Sequence, residues 1–387
     1  MGLIDIIFGR RQPAESDGVR YETLTAYQPA FRSWGGALYE SELIRSAVDA
    51  IARHASKLSY KMEGTARPKL YTATKPGPNP WMTWSQYMER CANIYSVENN
   101  LFIVPLLDDR GEVTGFFPAV PSECEIVGKG ADPFLKFTFI GGEKRSVRLS
   151  RVGLVVKHQL KDDFFGSSNS PLRSTMELNN MISQGIAEGV KNGATFRFMA
   201  QLNSKTFDED LKKERKRFNE TNLRDGSGGL LLYGNQMSNM QQIKQEGYKV
   251  DADQMKLIQE NVQNYFGVSL AVIQNTAVGD EMDAFFNGNT EVFAIKMSEA
   301  HSKMTFSRHE INLGNKITFT ANRLQYMATG SKINMAKELG DRGVLMIDEI
   351  RELFNYEPLP DGAGQHAPIR GEYYMVDEGK DGGDNDE

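Results

Sequence analysis

Six apolar residues, Phe286, Phe293, Met297, Ala300, Met304 and Ile311, recur at steps of seven, four, three, four and seven. Steps of this kind keep side chains on one face of a helix, so the stripe predicts a single rod of about 26 residues, close to 40 Å long. It would be the longest helix of the chain, and the fold has to be built along it.

Immediately upstream the chain changes character. The stretch NYFGVSLAVIQNTAVGDEMDAFFNGN, from Asn264 to Asn289, holds thirteen residues, Gly267 to Gly279 inclusive, that carry no charge. Acids then restart a helix at Asp280. An irregular segment of this length is more often functional or mobile than buried, although an apolar loop can also simply pack into a core. The two terminal glycines permit a change of position.

Other segments are more ordinary. Leu43, Ile44, Ala47, Val48, Ile51, Ala55 and Leu58 define a helix from Ser41 onward, and Thr83 with Gln86 forms a capping box for a helix whose face is Trp84, Met88, Cys91 and Tyr95. LFIVPLLDDRGEVTGFFPAV reads as a hairpin, followed by the β-rich pieces ECEIVG, PFLKFTFIGG, KRSVRL and VGLVVKHQ. The region to about Gln159 is therefore α+β with antiparallel hairpins.

From Pro171, PLRSTMELNNMISQGIAEGVKNGATFRF predicts a long helix with Leu178, Ile182, Ile186, Val190 and Ala194 in register. KTFDEDLKKERKRFNETNLR, with seven basic and five acidic residues, predicts a charged helix. Its interleaved signs suit a solvated face or a partner-binding surface. GSGGLLLYGNQMSNMQQIKQ reads as turn, strand, turn, strand. ADQMKLIQENVQNYF is a helix behind Asp251, NKITFTAN a strand, and Lys332 to Leu339 and Ile347 to Phe354 are short helices. Residues 1 to about 40 read as an arm whose order depends on a partner. From Gly362 on, composition predicts disorder.

Composition excludes several classes. The longest apolar run, Leu101 to Leu107, is far short of the roughly 20 residues a membrane-spanning helix needs. MGLIDIIFGRR lacks a basic region before its apolar residues and has Ile6 where a myristoylation signal needs Ser or Thr, so neither export nor lipid anchoring is expected. Cys91 and Cys124 lack metal or redox spacing, which fits a reducing compartment. The net charge is -6, of which Asp377 to Glu387, with six acids and one lysine, supplies -5 and the remainder only -1. A near-neutral body is unsuited to gripping phosphates but compatible with letting a nucleic acid slide.

No phosphate-binding loop, dinucleotide fingerprint, nucleophile elbow or zincin motif occurs. His301 and His309 stand eight residues apart rather than the four a helical metal pair uses, so both are expected at the surface. Asp280, Glu281 and Asp283 have two readings. They are carboxylates of a metal-dependent nuclease, or acids favoured in a helix's first turn. No cofactor or metal site is expected.

The order of segments carries more than any motif. SWGGALYESELIRSAVDAIARHASKL, GFFPAVPSECEIV, FFGSSNSPLRST, ENVQNYFGVSLAVI and MIDEIRELFNYEPLPDGAG together resemble the portal proteins of tailed bacteriophages, the long-tailed type in particular, over nearly the whole chain. The resemblance implies an α+β portal fold. Residues 1–40 would be an N-terminal arm, 41–170 the wing, 171–198 a stem helix, 199–250 the clip and 251–266 the returning stem helix. Residues 267–279 would be the tunnel loop, 280–325 the long wing helix and a strand, 326–361 a small crown and 362–387 an acidic tail. It also implies a non-enzymatic ring, dodecameric in the family, at one capsid vertex, with double-stranded DNA as cargo. The terminase large subunit, the major capsid protein and head-completion adaptors would be its partners. The virion, and the host cytoplasm during assembly, would be its locations.

On that resemblance the channel would be lined by Val268, Ser269, Leu270, Val272, Ile273, Gln274, Asn275, Thr276 and Val278, hinged at Gly267 and Gly279. A wall without Lys or Arg suits a sliding polyanion, because each cation on a phosphate adds a salt-sensitive binding step. The stem helices of neighbours would meet along Leu178, Ile182, Ile186 and Val190 or along their polar flanks. Two features depart from the family. Little chain remains after Phe354 for a crown, and the proline that many relatives carry near Met304 is missing, which removes the usual ground for a kink there. A DNA-processing enzyme using the acids at 280 to 283, and another shell or adaptor protein of a virion, are the competing classes.

Overall fold

A computed structural model describes residues 22–27, 41–128, 133–193, 198–202, 237–242, 252–321, 329–354 and 356–368, with a few positions between 212 and 220. The chain forms two units, Met1–Ser170 with Val262–Glu387, and Pro171–Asn261.

The first unit begins with strand β1 (Glu22–Tyr27), helix α1 (Glu42–Ala55), strand β2 (Ser59–Glu63), helix α2 (Pro68–Thr74) and helix α3 (Trp84–Glu98). Strands β3 (Asn100–Leu107), β4 (Val113–Ala119), β5 (Glu123–Gly128), β6 (Phe134–Thr138), β7 (Lys144–Arg148) and β8 (Gly153–Val156) follow. They form antiparallel sheets ordered β4-β3-β8 and β1-β5-β6-β7. The expected hairpin is β3–β4. Its turn is held by Asp108, whose Oδ1 accepts from the Arg110 and Glu112 amides at 2.9 and 2.8 Å.

The arm expected at residues 1–40 is partly strand, because Glu22–Tyr27 pairs with β5 of the same chain. The rest of it lies outside the described residues. Strand β2 and helix α2 were not legible. SYKME has little β-branched or alternating apolar content, and it becomes a strand by pairing with a segment more than 250 residues away.

The second unit contains helix α4 (Arg173–Gly193), strands β9 (Phe198–Leu202) and β10 (Met237–Gln242), and most of helix α5 (Ala252–Phe266). Phe198, placed in a helix by pattern, is in a strand paired with β10. Of the charged stretch Lys205 to Arg224, the described residues Lys212, Lys213, Arg215, Lys216, Arg217 and Glu220 are helical and exposed. LLLY at 230–233 lies outside the described residues, as does the acidic tail from 369 onward.

The chain then returns to the first unit through α6 (Leu270–Ile273), α7 (Asp280–Phe285), α8 (Glu291–Thr305), α9 (Arg308–Asn312), β11 (Lys316–Thr320), α10 (Thr329–Asp341) and α11 (Ile347–Leu353). Strand β11 pairs with β2. Order continues past Gly362: the Ile347 and Asp348 amides donate to the carbonyls of His366 and Gly364 at 3.1 and 3.0 Å.

Strand β3 explains the core. Its run LFIVPLL is apolar without alternation because both faces are covered. Leu101 and Ile103 enter a cluster with Ala52 of α1, Tyr87 and Cys91 of α3, and Phe293 and Met297 of α8. Phe102, Val104 and Leu106 enter a second cluster with Cys124, Ile126, Leu135 and Phe137. Burial pushes both free thiols well above the ordinary cysteine range.

The 26-residue stripe is not one uniform helix. Phe286–Thr290 is a π turn, which inserts one extra residue. The inward line therefore runs Phe285, Thr290, Phe293, Met297, with a step of five, and Phe286 is only half-buried. The helix stops at Phe306 (φ -108°, ψ 145°), and Ser307 starts α9 in a capping box with Glu310, leaving Ile311 exposed beyond the break. No proline is needed, since buried Phe306 and a serine cap end the helix by themselves.

His301 contradicts its expected surface position. It is fully buried, with Nε2 2.9 Å from the Tyr87 hydroxyl and Nδ1 2.7 Å from the Met297 carbonyl. His309 is exposed as expected. Desolvation lowers the His301 pKa to about 4 from 6.5. The unfolded chain binds a proton that the folded one refuses, so this contribution is complete above pH 6.5 and is lost as pH falls toward 4. His54, lowered to about 4 by burial and by Lys57 and Arg53, acts in the same direction.

Two outcomes follow from this packing. His301→Gln should flatten the fall in urea-unfolding stability between pH 6.5 and 4, by up to about 3 kcal/mol. Gly166→Ala should destabilise by about 1–3 kcal/mol, because a Cβ there meets the Lys157 and Asn99 carbonyl oxygens, both backbone. Equilibrium denaturation at pH 7 measures it.

Candidate functional site

Within the first unit, the end of α3 is tied to neighbouring segments by amides. Asn99, in the left-handed conformation that ends α3 (φ 57°), donates from Nδ2 to Asn169 Oδ1 and to the Ser167 carbonyl, both at 2.7 Å. Asn169 donates to the Ser96 and Val97 carbonyls at 3.2 and 2.8 Å, and its Oδ1 accepts from the Tyr265 hydroxyl at 2.7 Å. Asn100 brackets Gly166, accepting from its amide at 2.7 Å and donating to its carbonyl at 3.0 Å. The residues just before Pro171 and the last turn of α5 are thus fixed to the end of α3. Asn99 Oδ1 stays unpaired, but the other amide groups are matched, and such matching specifies one arrangement because each unpaired buried group is costly.

The uncharged segment starts directly after that anchor. Helix α5 ends in a Schellman motif, with Gly267 N–H to Asn264 carbonyl at 3.2 Å and Val268 N–H to Gln263 carbonyl at 2.9 Å. Gly267 has φ 66°, which favours glycine. Asn289, from the π turn, donates to the Phe266 carbonyl at 2.9 Å.

The segment is more ordered than its composition implied. Ser269 caps the four-residue helix α6 by accepting from the Val272 amide at 3.3 Å, and its hydroxyl donates to Glu281 at 2.6 Å. Thr276 and Ala277 both donate to the Ala271 carbonyl, at 2.8 and 3.1 Å. Val268, Val272 and Ala277 are buried, while Ser269 and Ile273 are half-buried. Leu270 is 49% exposed and Val278 75%, and Gln274, Asn275 and Thr276 between them are exposed. The surface that the segment can present is therefore Leu270, Gln274, Asn275, Thr276 and Val278. Gly279 closes it at φ 56°, ψ -129°.

The segment has no charge of its own, yet a cation reaches it. Arg53 of α1 donates from Nη1 to Asn275 Oδ1 at 2.9 Å and from Nη2 to the Ile273 carbonyl at 3.3 Å, while its Nε lies 2.9 Å from Asp49 Oδ2. Beside it, His54 meets Phe285 edge-on at 5.2 Å. No local pattern signals Arg53, which sits 222 residues away from its acceptor.

Asp280, Glu281 and Asp283 occupy the first turn of α7 and are exposed. Among the described residues no group of three His, Cys, Asp or Glu side chains is placed to hold a metal ion. They stand at the positive end of the helix, where carboxylates are favoured, and Glu281 accepts from the Ser269 hydroxyl.

The sequence profile of phage portal proteins matches residues 42–355. No curated protein sequence gives a match. Among solved structures, the neck of the native gene transfer agent particle, computed with C12 symmetry, is similar at TM-score 0.61 and 13% identity, covering 87% of this chain and 96% of that one. The neck of the empty particle, computed with C6 symmetry, is similar at TM-score 0.64 and 13% identity over 87% and 97%. An HK97-family phage portal protein from Corynebacterium diphtheriae is similar at TM-score 0.52 and 13% identity over 77% and 97%. With its profile match spanning most of its length, the chain belongs to the phage portal protein family.

Proposed function

We propose that copies of this chain close into a ring at one vertex of a phage capsid and that double-stranded DNA passes through its centre. Family membership over residues 42–355 carries this reading. The C12 symmetry of a structurally similar particle neck supports twelve subunits. A rotation that closes turns head-to-tail contacts into a ring without further instruction. The exposed apolar residues of α4, Leu178, Met181 and Ile186, are suited to such contacts.

Within that ring residues 41–170 form the wing, 171–198 and 251–266 the stem helices, 199–250 the clip, 280–325 the long wing helix with its strand, and 326–361 a small crown. The unit boundary at Ser170 and Pro171 supports the wing-to-stem division. The terminase large subunit and later the head-completion adaptors dock at the clip, and the major capsid protein surrounds the ring. Assembly takes place in the host cytoplasm, and the finished protein resides in the virion. No step in this role requires chemistry by the chain itself.

Segment 267–279 is the tunnel loop. Its exposed side chains, Leu270, Gln274, Asn275, Thr276 and Val278, offer contact without fixed charge, so a phosphate backbone is not held at salt-sensitive stations. Val268 and Val272 act behind them as packing residues, and Ile273 is a poor probe because it is half-buried.

Purified full-length protein should scatter light as a single large oligomer and give annular projections with a central hole in negative stain. A monomer or dimer over a wide range of concentration and salt overturns the ring. Val278→Lys, at a 75% exposed position, should leave ring assembly intact and reduce the DNA packaged per particle. Unchanged packaging would place this segment away from the channel.

A further inference from the structure

Arg53 arrives at the uncharged segment in an arrangement too specific for a surface arginine. Its planar fork donates to two acceptors on the segment, the Ile273 carbonyl at the end of α6 and the side chain of Asn275, and it is ion-paired with the carboxylate of Asp49. Asp49 and Arg53 stand one turn apart on α1, so the guanidinium is aimed by its own helix before it meets the segment. Asn275 itself has φ 60°, a left-handed conformation that asparagine tolerates.

The segment is otherwise attached through buried side chains and through Ser269, which donates to Glu281 at 2.6 Å. Val268, Val272 and Ala277 are buried, but its ends are glycines in left-handed conformations with room around them. A Cβ at Gly279 would meet nothing within 4 Å, and one at Gly267 only the Asn289 amide nitrogen at 3.8 Å. These glycines serve backbone conformation and not space, which is what pivots require.

We propose that Arg53 is the positioning residue of segment 267–279, a latch that holds its C-terminal half against α1 and whose release frees the segment to turn about Gly267 and Gly279. The inference deepens the tunnel-loop reading and rests on it only for the role in DNA passage, not for the latch itself. Because Asp49 already balances the guanidinium, Arg53 adds no uncompensated cation to the segment's surface. Orientation comes from hydrogen bonds, and the exposed residues stay charge-free.

Amide hydrogen exchange on the full-length assembled protein tests the latch, with Gln274, Asn275, Thr276 and Ala277 as reporters. Arg53→Gln should speed their exchange at least tenfold while the amides of α3 keep their rates. Arg53→Lys retains the charge but lacks the fork and should not restore protection. Asn275→Asp should act in the opposite sense. Aspartate tolerates the left-handed conformation and offers Arg53 a charged acceptor, so exchange slows severalfold. That slowing should vanish in the Arg53→Gln, Asn275→Asp double variant. Unchanged reporter rates in Arg53→Gln, or slowing by Asn275→Asp that persists without Arg53, overturn the proposal. If Arg53→Gln does not assemble, the Asn275→Asp result alone decides, with no slowing counting against the latch. Should the reporters respond as expected while Val278→Lys leaves packaging unchanged, the latch stands and the tunnel-loop reading falls.

Discussion

Everything the fold presents is organised from the end of helix α3, where four asparagine and tyrosine side chains exchange hydrogen bonds in place of apolar packing. Asn99 could not end the helix without its left-handed turn, and only that turn brings its amide to Asn169 and Ser167. Tyr265 then ties the last turn of α5 to the same Asn169 oxygen. Ser167, Asn169 and Tyr265 are thereby fixed to one point beside the two-sided core around β3. Apolar burial supplies the stability of this unit, but it is non-directional. The amide network supplies the geometry.

From this anchor the segment after Phe266 inherits its starting direction, and α1 supplies its second support through Arg53. A connector held at both ends and pinned in the middle keeps its exposed side chains in a defined place even though few of them pack. Such an arrangement combines exposed side chains with a defined position. It also separates the residues that hold the segment, which are buried or belong to α1, from those that face outward.

The sequence made the strongly periodic elements legible. Helices α1, α3, α5 and the body of α8 follow their apolar spacing, and the β3–β4 hairpin follows its turn chemistry. What could not be read depends on distant partners. Strand β2 exists because β11 lies beside it, and the burial of His301 depends on Tyr87 of another helix reaching it. Within the candidate segment, the glycines, the missing charges and the span between 267 and 279 were visible. That Val268 and Val272 turn inward, and that Arg53 reaches Asn275, were not, because contacts across more than two hundred residues leave no trace in a local pattern.

The π turn at Phe286–Thr290 also has an evolutionary side. A π turn is an α-helix that has taken in one residue without losing its continuity, and removing a residue there would restore ordinary winding and rotate everything upstream by about 100° about the helix axis. Helix α7 and the pivot at Gly279 lie directly upstream. Gain or loss of a single codon at this site would thus re-aim the neighbouring segment while the buried body of α8 stayed as it is, a route by which relatives could vary an exposed surface without rebuilding the core beneath it.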